Sequence, residues 1–183
     1  ASTWFSEAQT LVLPARLTNT PTGAEFAKQI AGKPLADREE DIRTQILSGN
    51  VPEFMRRLCP VTVTNISNGR TNWATFYVTP DYLGVGTDKD FLLTPMTPMT
   101  AQSIADQLDC ALPTRRMVDA IYAAAEVKLE PLPIPPSAAM TTPSVFARHN
   151  EMVRTQRVAE RCIWFQFCLL SCMGKVNVNA NCT

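Results

Sequence analysis

Hydrophobic positions in residues 22–59 recur at the spacing of short amphipathic helices. The first of these helices begins after Thr22. Thr22 and Glu25 have the spacing of a capping box, with Glu25 in the first turn of the helix. A longer helix is predicted from about residue 37 to residue 49, where a glycine ends it. A short third helix is predicted between residues 52 and 60, which are both prolines.

The pattern then changes from helical spacing to runs of β-branched and aromatic residues. Residues 61–79, VTVTNISNGRTNWATFYVT, predict a β-hairpin. Asn68-Gly69 in the middle of this run is the preferred residue pair for a two-residue type I′ turn. Residues 81–93 predict a second strand, turn and strand, so a small antiparallel sheet region is expected here.

Helical spacing returns after residue 94. Thr100 is predicted to cap a helix over residues 101–108, and Thr114 to cap a second helix over residues 115–127. The second helix has an apolar stripe on one face, so we expect it to pack on the core.

A proline-rich connector over residues 131–143 is expected to be extended, because proline fixes φ and cannot donate a backbone hydrogen bond. A last helix is predicted from about residue 144 to 156, with a continuation towards Met173 as an alternative. The order of helices, hairpins and helices indicates an α+β fold with a small antiparallel sheet and a hairpin at 61–79. Residues 1–157 are interpreted as one domain. Residues 158–183 are interpreted as a non-homologous, cysteine-rich tail or a C-terminal helix.

Composition and charge narrow the classes of function. The chain has 183 residues, of which 45% are hydrophobic and 19% charged, so a core can form without a metal or a disulfide. Lys+Arg and Asp+Glu balance at 17 each and no basic block occurs, which argues against nucleic acid as a partner. No apolar run reaches the roughly 18 residues of a transmembrane helix.

Cysteine usage favours an extracytoplasmic, secreted protein. Of the 6 cysteines, Cys59 and Cys110 stand alone in the body of the chain, and the others lie in the tail. Two glycosylation sequons, at Asn65 and Asn181, are compatible with secretion. A disulfide between Cys59 and Cys110 is one expected outcome of an oxidising compartment.

Cys110 is the main candidate for chemistry, with three interpretations: a nucleophile, half of a disulfide, or a small buried apolar residue. It precedes Thr114 and is expected at a helix entrance, where backbone N–H groups stabilise a thiolate. A thiol nucleophile needs a base, and His149 is the only histidine in the chain. Asp109 or Asn150 would orient that base, although a solvent-exposed helical face is the plainer interpretation of His149.

No cofactor or metal is predicted. Residues 84–90, GVGTDKD, suggest a phosphate loop but lack the Gly-Lys-Ser/Thr of that motif. Carboxylates of Asp81, Asp88 and Asp90 have the chemistry of calcium ligands, but a solvated turn between strands is the favoured interpretation. The tail cysteines do not have the spacing of a zinc site.

Between about residues 23 and 157 the chain resembles a family of uncharacterised secreted proteins, found mainly in bacteria. The resemblance rests on four segments: SGNVPEF, VTPDYLGVGTDKDFLLTPMTP, LPTRRMVDAIYAAAEVKLEPLP and HNEMVRTQR. Members of that family continue into a second half rich in Gly-His and aromatic residues. The present sequence instead changes composition after Arg157.

A cysteine ahead of a helix with a later histidine is more weakly similar to the NlpC/P60-type papain-like cysteine amidases. That similarity implies a partial papain-like arrangement and a thiol hydrolase acting on amide or peptide bonds, with a peptide or cell-wall polymer as substrate. The residues after the cysteine, Ala111-Leu112-Pro113, depart from the family pattern, as does a histidine on a predicted helix. The alternatives are a non-catalytic secreted binding module, or a truncated relative of an enzyme that lacks the active half.

Overall fold

The fold is α+β, as the sequence predicts. A computed structural model describes residues 9–159 and 174–177, with side chains described for 9–157. The helices of this part are α1 (Gly23–Ile30), α2 (Leu35–Leu47), α3 (Glu53–Arg56), α4 (Pro98–Gln107), α5 (Arg115–Ala124) and α6 (Pro143–Ala159), with a 3₁₀ turn at Ala138–Thr141. The strands are β1 (Cys59–Ser67), β2 (Arg70–Val78), β3 (Gly84–Gly86), β4 (Phe91–Leu93) and β5 (Gly174–Asn177).

Both predicted hairpins are confirmed. β1 and β2 pair antiparallel up to Ser67 opposite Arg70. The turn residues Asn68 and Gly69 have φ of 52° and 73°, the left-handed values that a type I′ turn requires. β5 pairs antiparallel with the other side of β2. β3 and β4 form a separate antiparallel pair.

The interior of the described part contains two apolar clusters. The larger one is formed by α1 to α4 and the β3–β4 pair, with Phe26, Ile46, Met55, Leu83 and Ile104 fully buried. The smaller one lies between the near half of the β1–β2 hairpin and Ile121 of α5. The far half of the hairpin, residues 64–73, is exposed. Among the described residues, no helix is long and apolar enough to cross a membrane.

Asn50 is the centre of a buried polar network. Its Nδ2 donates to the carbonyl of Pro21 at 2.9 Å and to Oε1 of Gln45 at 2.7 Å. Its Oδ1 accepts from Nε of Arg16 at 2.8 Å, and its backbone carbonyl accepts from the N–H of Gly86 at 3.1 Å. One fully buried residue therefore joins the N-terminal arm (residues 9–21), α2 and β3.

Arg56 anchors the same N-terminal arm from the other side. Its guanidinium donates to the carbonyls of Leu13 at 3.2 Å, Pro14 at 2.8 Å and Gly49 at 2.7 Å. Gly49 has φ of 85°, and a Cβ there would lie 2.1 Å from the Pro14 oxygen. The segment SGNVPEF therefore needs glycine for both its backbone conformation and the close approach of the arm.

The predicted start of α4 is wrong by one turn. The cap is Thr97, whose Oγ1 accepts from the N–H of Thr100 at 3.4 Å, and the helix begins at Pro98. Proline is favoured at the first helical position because its missing N–H has no partner there. The carboxylate of Glu39 in α2 accepts from the N–H of Thr97 at 3.1 Å, which ties α4 to α2.

The later elements differ from prediction at their ends. α5 ends at Ala124 rather than residue 127, although its predicted Thr114 cap is confirmed. The proline-rich connector is not extended throughout, because it contains the 3₁₀ turn. The predicted last helix is α6. Its continuation to Met173 and the nature of the tail lie outside the described residues, apart from the end of α6 and β5.

α1 begins in direct contact with β4. A Cβ at Gly23 would lie 2.3 Å from the carbonyl carbon of Phe91, so no side chain fits there. The backbone carbonyl of Asp90 accepts from the N–H of Gly23 at 2.9 Å, and its Oδ1 accepts from that of Ala24 at 3.1 Å. The capping box predicted at Thr22 is confirmed and completes this helix terminus.

Replacing Asn50 with alanine should lower the free energy of unfolding by about 1–3 kcal/mol, because buried partners lose their hydrogen bonds. Asn72→Ala, at an exposed hairpin position, is the matched control and should change it by less than about 0.5 kcal/mol. Urea denaturation of both variants measures the difference. Equal effects would contradict a central role for Asn50.

Gly23→Ala should destabilise the protein by about 1–3 kcal/mol, because the added methyl group meets the β4 backbone. Helix propensity alone predicts the opposite sign, since alanine favours helices over glycine. Gly32→Ala is the control, because nothing lies within 4 Å of a Cβ at that position. Thermal melts of the two variants should differ. A Gly23→Ala variant as stable as the parent would show that α1 does not touch β4 this closely.

Candidate ligand-binding site

A largely apolar cavity of about 380 Å³ lies between α6, the segment that follows β4 and the proline-rich connector. α6 contributes one face to it, because Val145, His149, Val153 and Arg157 are spaced by four residues. These side chains lie one above the other along the cavity wall. We call this space the α6 cavity.

The opposite walls of the α6 cavity are apolar. Leu93 and Met96 come from β4 and the segment after it. Leu132 and Ile134 come from the proline-rich connector, and Met140 from the 3₁₀ turn. Leu132 is 46% exposed and Met140 is 40% exposed, so this wall is open to solvent.

An ion pair lies at the polar end of the cavity. The carboxylate of Asp81 accepts a hydrogen bond from Nη2 of Arg157, and its other oxygen accepts from the N–H of Tyr82 at 2.7 Å. The Asp81 side chain is only 3% exposed and that of Arg157 is 18% exposed. The pair therefore compensates two charges that would be costly if either were buried alone.

Asn150, a predicted orienting residue, is bound to the backbone of β4. Its Oδ1 accepts from the N–H of Leu93 at 3.2 Å and its Nδ2 donates to the carbonyl of Phe91 at 3.0 Å. Both ends of the buried amide are used in fixing α6 against the strand. His149, next to it, is exposed and borders the cavity.

The placement of Cys110 at a helix entrance is wrong. Cys110 follows the carboxyl end of α4, where its N–H donates to the carbonyl of Ala105 at 2.9 Å. Asp109 has φ of 52°, so it takes the left-handed position that ends many helices. The thiol donates to the carbonyl of Leu108 at 3.3 Å. Cys110 thus faces helix carbonyls, and the α5 terminus begins only at Thr114.

The structure brings together only part of the predicted catalytic set. His149 and Asn150 both border the α6 cavity. Cys110 and Asp109 are not among the residues that line it. Cys110 instead packs, partly buried, against the larger apolar cluster. A catalytic role for these residues stays a prediction, but the cavity and the candidate thiol are separate features of the fold.

The structure forms no disulfide between Cys59 and Cys110. Cys59 is buried in the smaller apolar cluster. Burial raises the pKa of its thiol from the ordinary value of 9.0 to about 12, and the carboxylate of Glu126 adds to the rise. A thiol in this environment is protonated at neutral pH and unreactive.

The acidic residues of the β3–β4 region have structural partners. Asp88 accepts from the N–H of Phe54 at 3.4 Å, at the start of α3. Asp90 caps α1, and Asp81 pairs with Arg157. Within the described residues, no group of three or more His, Cys, Asp or Glu side chains could hold a metal ion.

Comparisons of the chain with protein-family models, with curated proteins and with solved structures found no match. The resemblance to the secreted bacterial family and the similarity to papain-like amidases therefore stay predictions.

Sequence reasoning did not find the α6 cavity. The partners Asp81 and Arg157 are 76 residues apart, and no local pattern connects them. The four-residue spacing that places Val145, His149, Val153 and Arg157 on one face of α6 is visible in the sequence. It identifies one wall, but the opposite walls come from the end of β4, the segment after it and the connector, and no local pattern places these against α6.

The buried Cys59 thiol should make stability depend on pH above about 9. Its folded pKa is higher than its unfolded pKa, so the native state keeps a proton that the unfolded chain releases. This contribution is fully present below pH 9 and is lost as pH rises towards about 12. The stability difference between the parent and Cys59→Ala should therefore shrink over that range. Urea unfolding at stepped pH measures it, and a constant difference would contradict the raised pKa.

Proposed function

We propose that this domain is a binding module, and that the α6 cavity holds the apolar part of its ligand. The observation that carries the proposal is the cavity itself, with its volume of about 380 Å³ and its mainly hydrophobic walls. Cavities of about 300–1,000 Å³ with apolar walls and a few polar groups are the usual form of small-ligand sites.

The walls specify the chemistry of the ligand. Leu93, Met96, Ile134 and Val153 offer contacts to an aliphatic or aromatic group but no hydrogen bonds. His149 borders the cavity from an exposed position, so it can donate to or accept from a polar group of the ligand at the opening. The ligand class is therefore a compact apolar group with one polar end, such as an apolar side chain of a peptide.

Methionine and proline in the wall suit a cavity that adapts to its ligand. Met96 and Met140 have unbranched, polarisable side chains that fill irregular gaps. Leu132 and Pro133 of the connector are exposed parts of the wall. This combination favours binding of related apolar groups rather than recognition of one shape.

Binding accounts for the site better than thiol hydrolysis does. Hydrolysis requires a base within about 2.6–3.2 Å of the thiol, or one water away, beside a space for the substrate. The thiol of Cys110 is bonded to the Leu108 carbonyl and is not part of the α6 cavity wall. Secretion, predicted from the cysteines and the sequons, is independent of this choice.

The test uses 1-anilinonaphthalene-8-sulfonate, a dye with an apolar body and one charged end, with fluorescence titration of the folded protein. The parent should bind it saturably at one site. Val153→Phe places a phenyl group in the cavity and should weaken binding about tenfold or more, or about 1.4 kcal/mol. Thr155→Phe adds the same group to the exposed face of α6 and should leave binding unchanged.

A Val153→Phe variant that binds the dye like the parent would sink the proposal, provided that its thermal melt shows a folded protein. Cys110→Ala is the second comparison. Dye binding should survive this change, because the thiol lies outside the cavity lining. Loss of dye binding in Cys110→Ala, with the fold intact, would show that the binding site includes the Cys110 thiol and would contradict the proposal.

A further inference from the structure

Among the described residues, β1 is the outer strand of the β1–β2 hairpin and its second edge is unpaired. In the three-stranded sheet the strand order is β1-β2-β5, so β1 has β2 on one side only. No other described strand pairs with its second side. The hairpin also extends beyond the core, since residues 64–73 are all exposed.

The turn geometry determines which backbone groups face outward. In a hairpin with a two-residue turn, the residues that flank the turn form a hydrogen-bonded pair, here Ser67 and Arg70. Odd-numbered residues of β1 therefore bond to β2. The N–H and C=O groups of Thr62, Thr64 and Ile66 point away from it, towards solvent.

Beyond Pro60, an outward-facing proline near its start, β1 lacks the features that usually protect an edge strand. Residues 61–67, VTVTNIS, contain no charged residue and no proline. The register with β2 is continuous, so no bulge bends the strand away. Natural proteins protect long edges with lysine, proline or bulges, because an unprotected edge is a template for another strand.

We propose that this edge binds β1 of a second copy of the chain, antiparallel, across a two-fold axis at Thr64. In this register Thr64 lies opposite Thr64 of the second copy, and Thr62 lies opposite Ile66 of that copy. Each of these residues is outward-facing in both copies. Every outward N–H therefore meets an outward C=O, and each pair exchanges two hydrogen bonds.

The side chains support the same register. Cys59 and Val61 are in the smaller apolar cluster, so the even-numbered side chains of β1 lie on the opposite face of the sheet. On that face Trp73 is directly across from Thr64 and is 47% exposed. Ile66, at 74% exposure, would be covered in part by Thr62 of the second copy.

The contact is short, so the dimer should be reversible. Pairing over Thr62 to Ile66 belongs with small interfaces, below about 1,200 Å² in total. The oligomeric state should therefore depend on protein concentration, with monomer and dimer in equilibrium. This inference does not depend on the proposed function of the α6 cavity.

Sedimentation velocity over a concentration series tests the proposal. The parent should shift from monomer to dimer as concentration rises. Thr64→Lys places like charges opposite each other at the two-fold axis and should remain monomeric, as should Thr64→Glu. An equimolar mixture of the two variants should dimerise again. Pairing with position 64 opposite position 64 places the lysine of one copy beside the glutamate of the other.

Thr71→Lys is the matched control. Thr71 lies on the same face of the sheet but on β2, one strand away from the proposed contact, so this variant should dimerise like the parent. Circular dichroism and a thermal melt confirm that all variants fold. A parent that stays monomeric throughout, a Thr64→Lys variant that dimerises normally, or a mixture that fails to recover would each overturn the proposal.

Discussion

Asn50, buried in the core, joins the N-terminal arm, α2 and β3 through its side chain and its backbone carbonyl. The N-terminal arm has little regular structure, so its carbonyl groups need partners from elsewhere, and Asn50 and Arg56 supply them. The backbone of Asn50 also receives the N–H of Gly86, which fixes β3. β3 pairs with β4, and β4 holds α6 through Asn150. The α6 cavity is thus the last member of a series of contacts that begins at one polar residue in the core.

This series explains why three polar residues in the segments that carry the family resemblance are buried or largely buried. SGNVPEF holds Gly49 and Asn50, and HNEMVRTQR holds Asn150 and Arg157. Asn50, Asn150 and Arg157 each make hydrogen bonds to residues far along the chain. Their role in the structure is to join elements, and the space between those elements becomes the cavity. A hydrogen-bonded polar group fixes relative positions more specifically than apolar contact, which is non-directional.

Local features were predictable from the sequence, and long-range ones were not. The Asn68-Gly69 turn and the Thr114 cap each depend on a few neighbouring residues, and both are found. The position of Cys110 was missed because the helix before it ends with Asp109 in the left-handed conformation, where glycine is the usual signal. Thr100 was the predicted cap of α4, but the cap is Thr97, which is followed by a proline at the first helical position. The Asp81–Arg157 pair depends on tertiary packing alone.

The start of α1 has a consequence for the order in which the protein folds. Two of its first N–H groups are satisfied by Asp90, which is 66 residues from Ala24 in sequence. A helix of 8 residues is too short to persist alone in water. α1 therefore acquires its full set of partners only after the β3–β4 pair has formed. A segment near the beginning of the chain is completed late, and the entropy of closing that long loop becomes part of the barrier to folding.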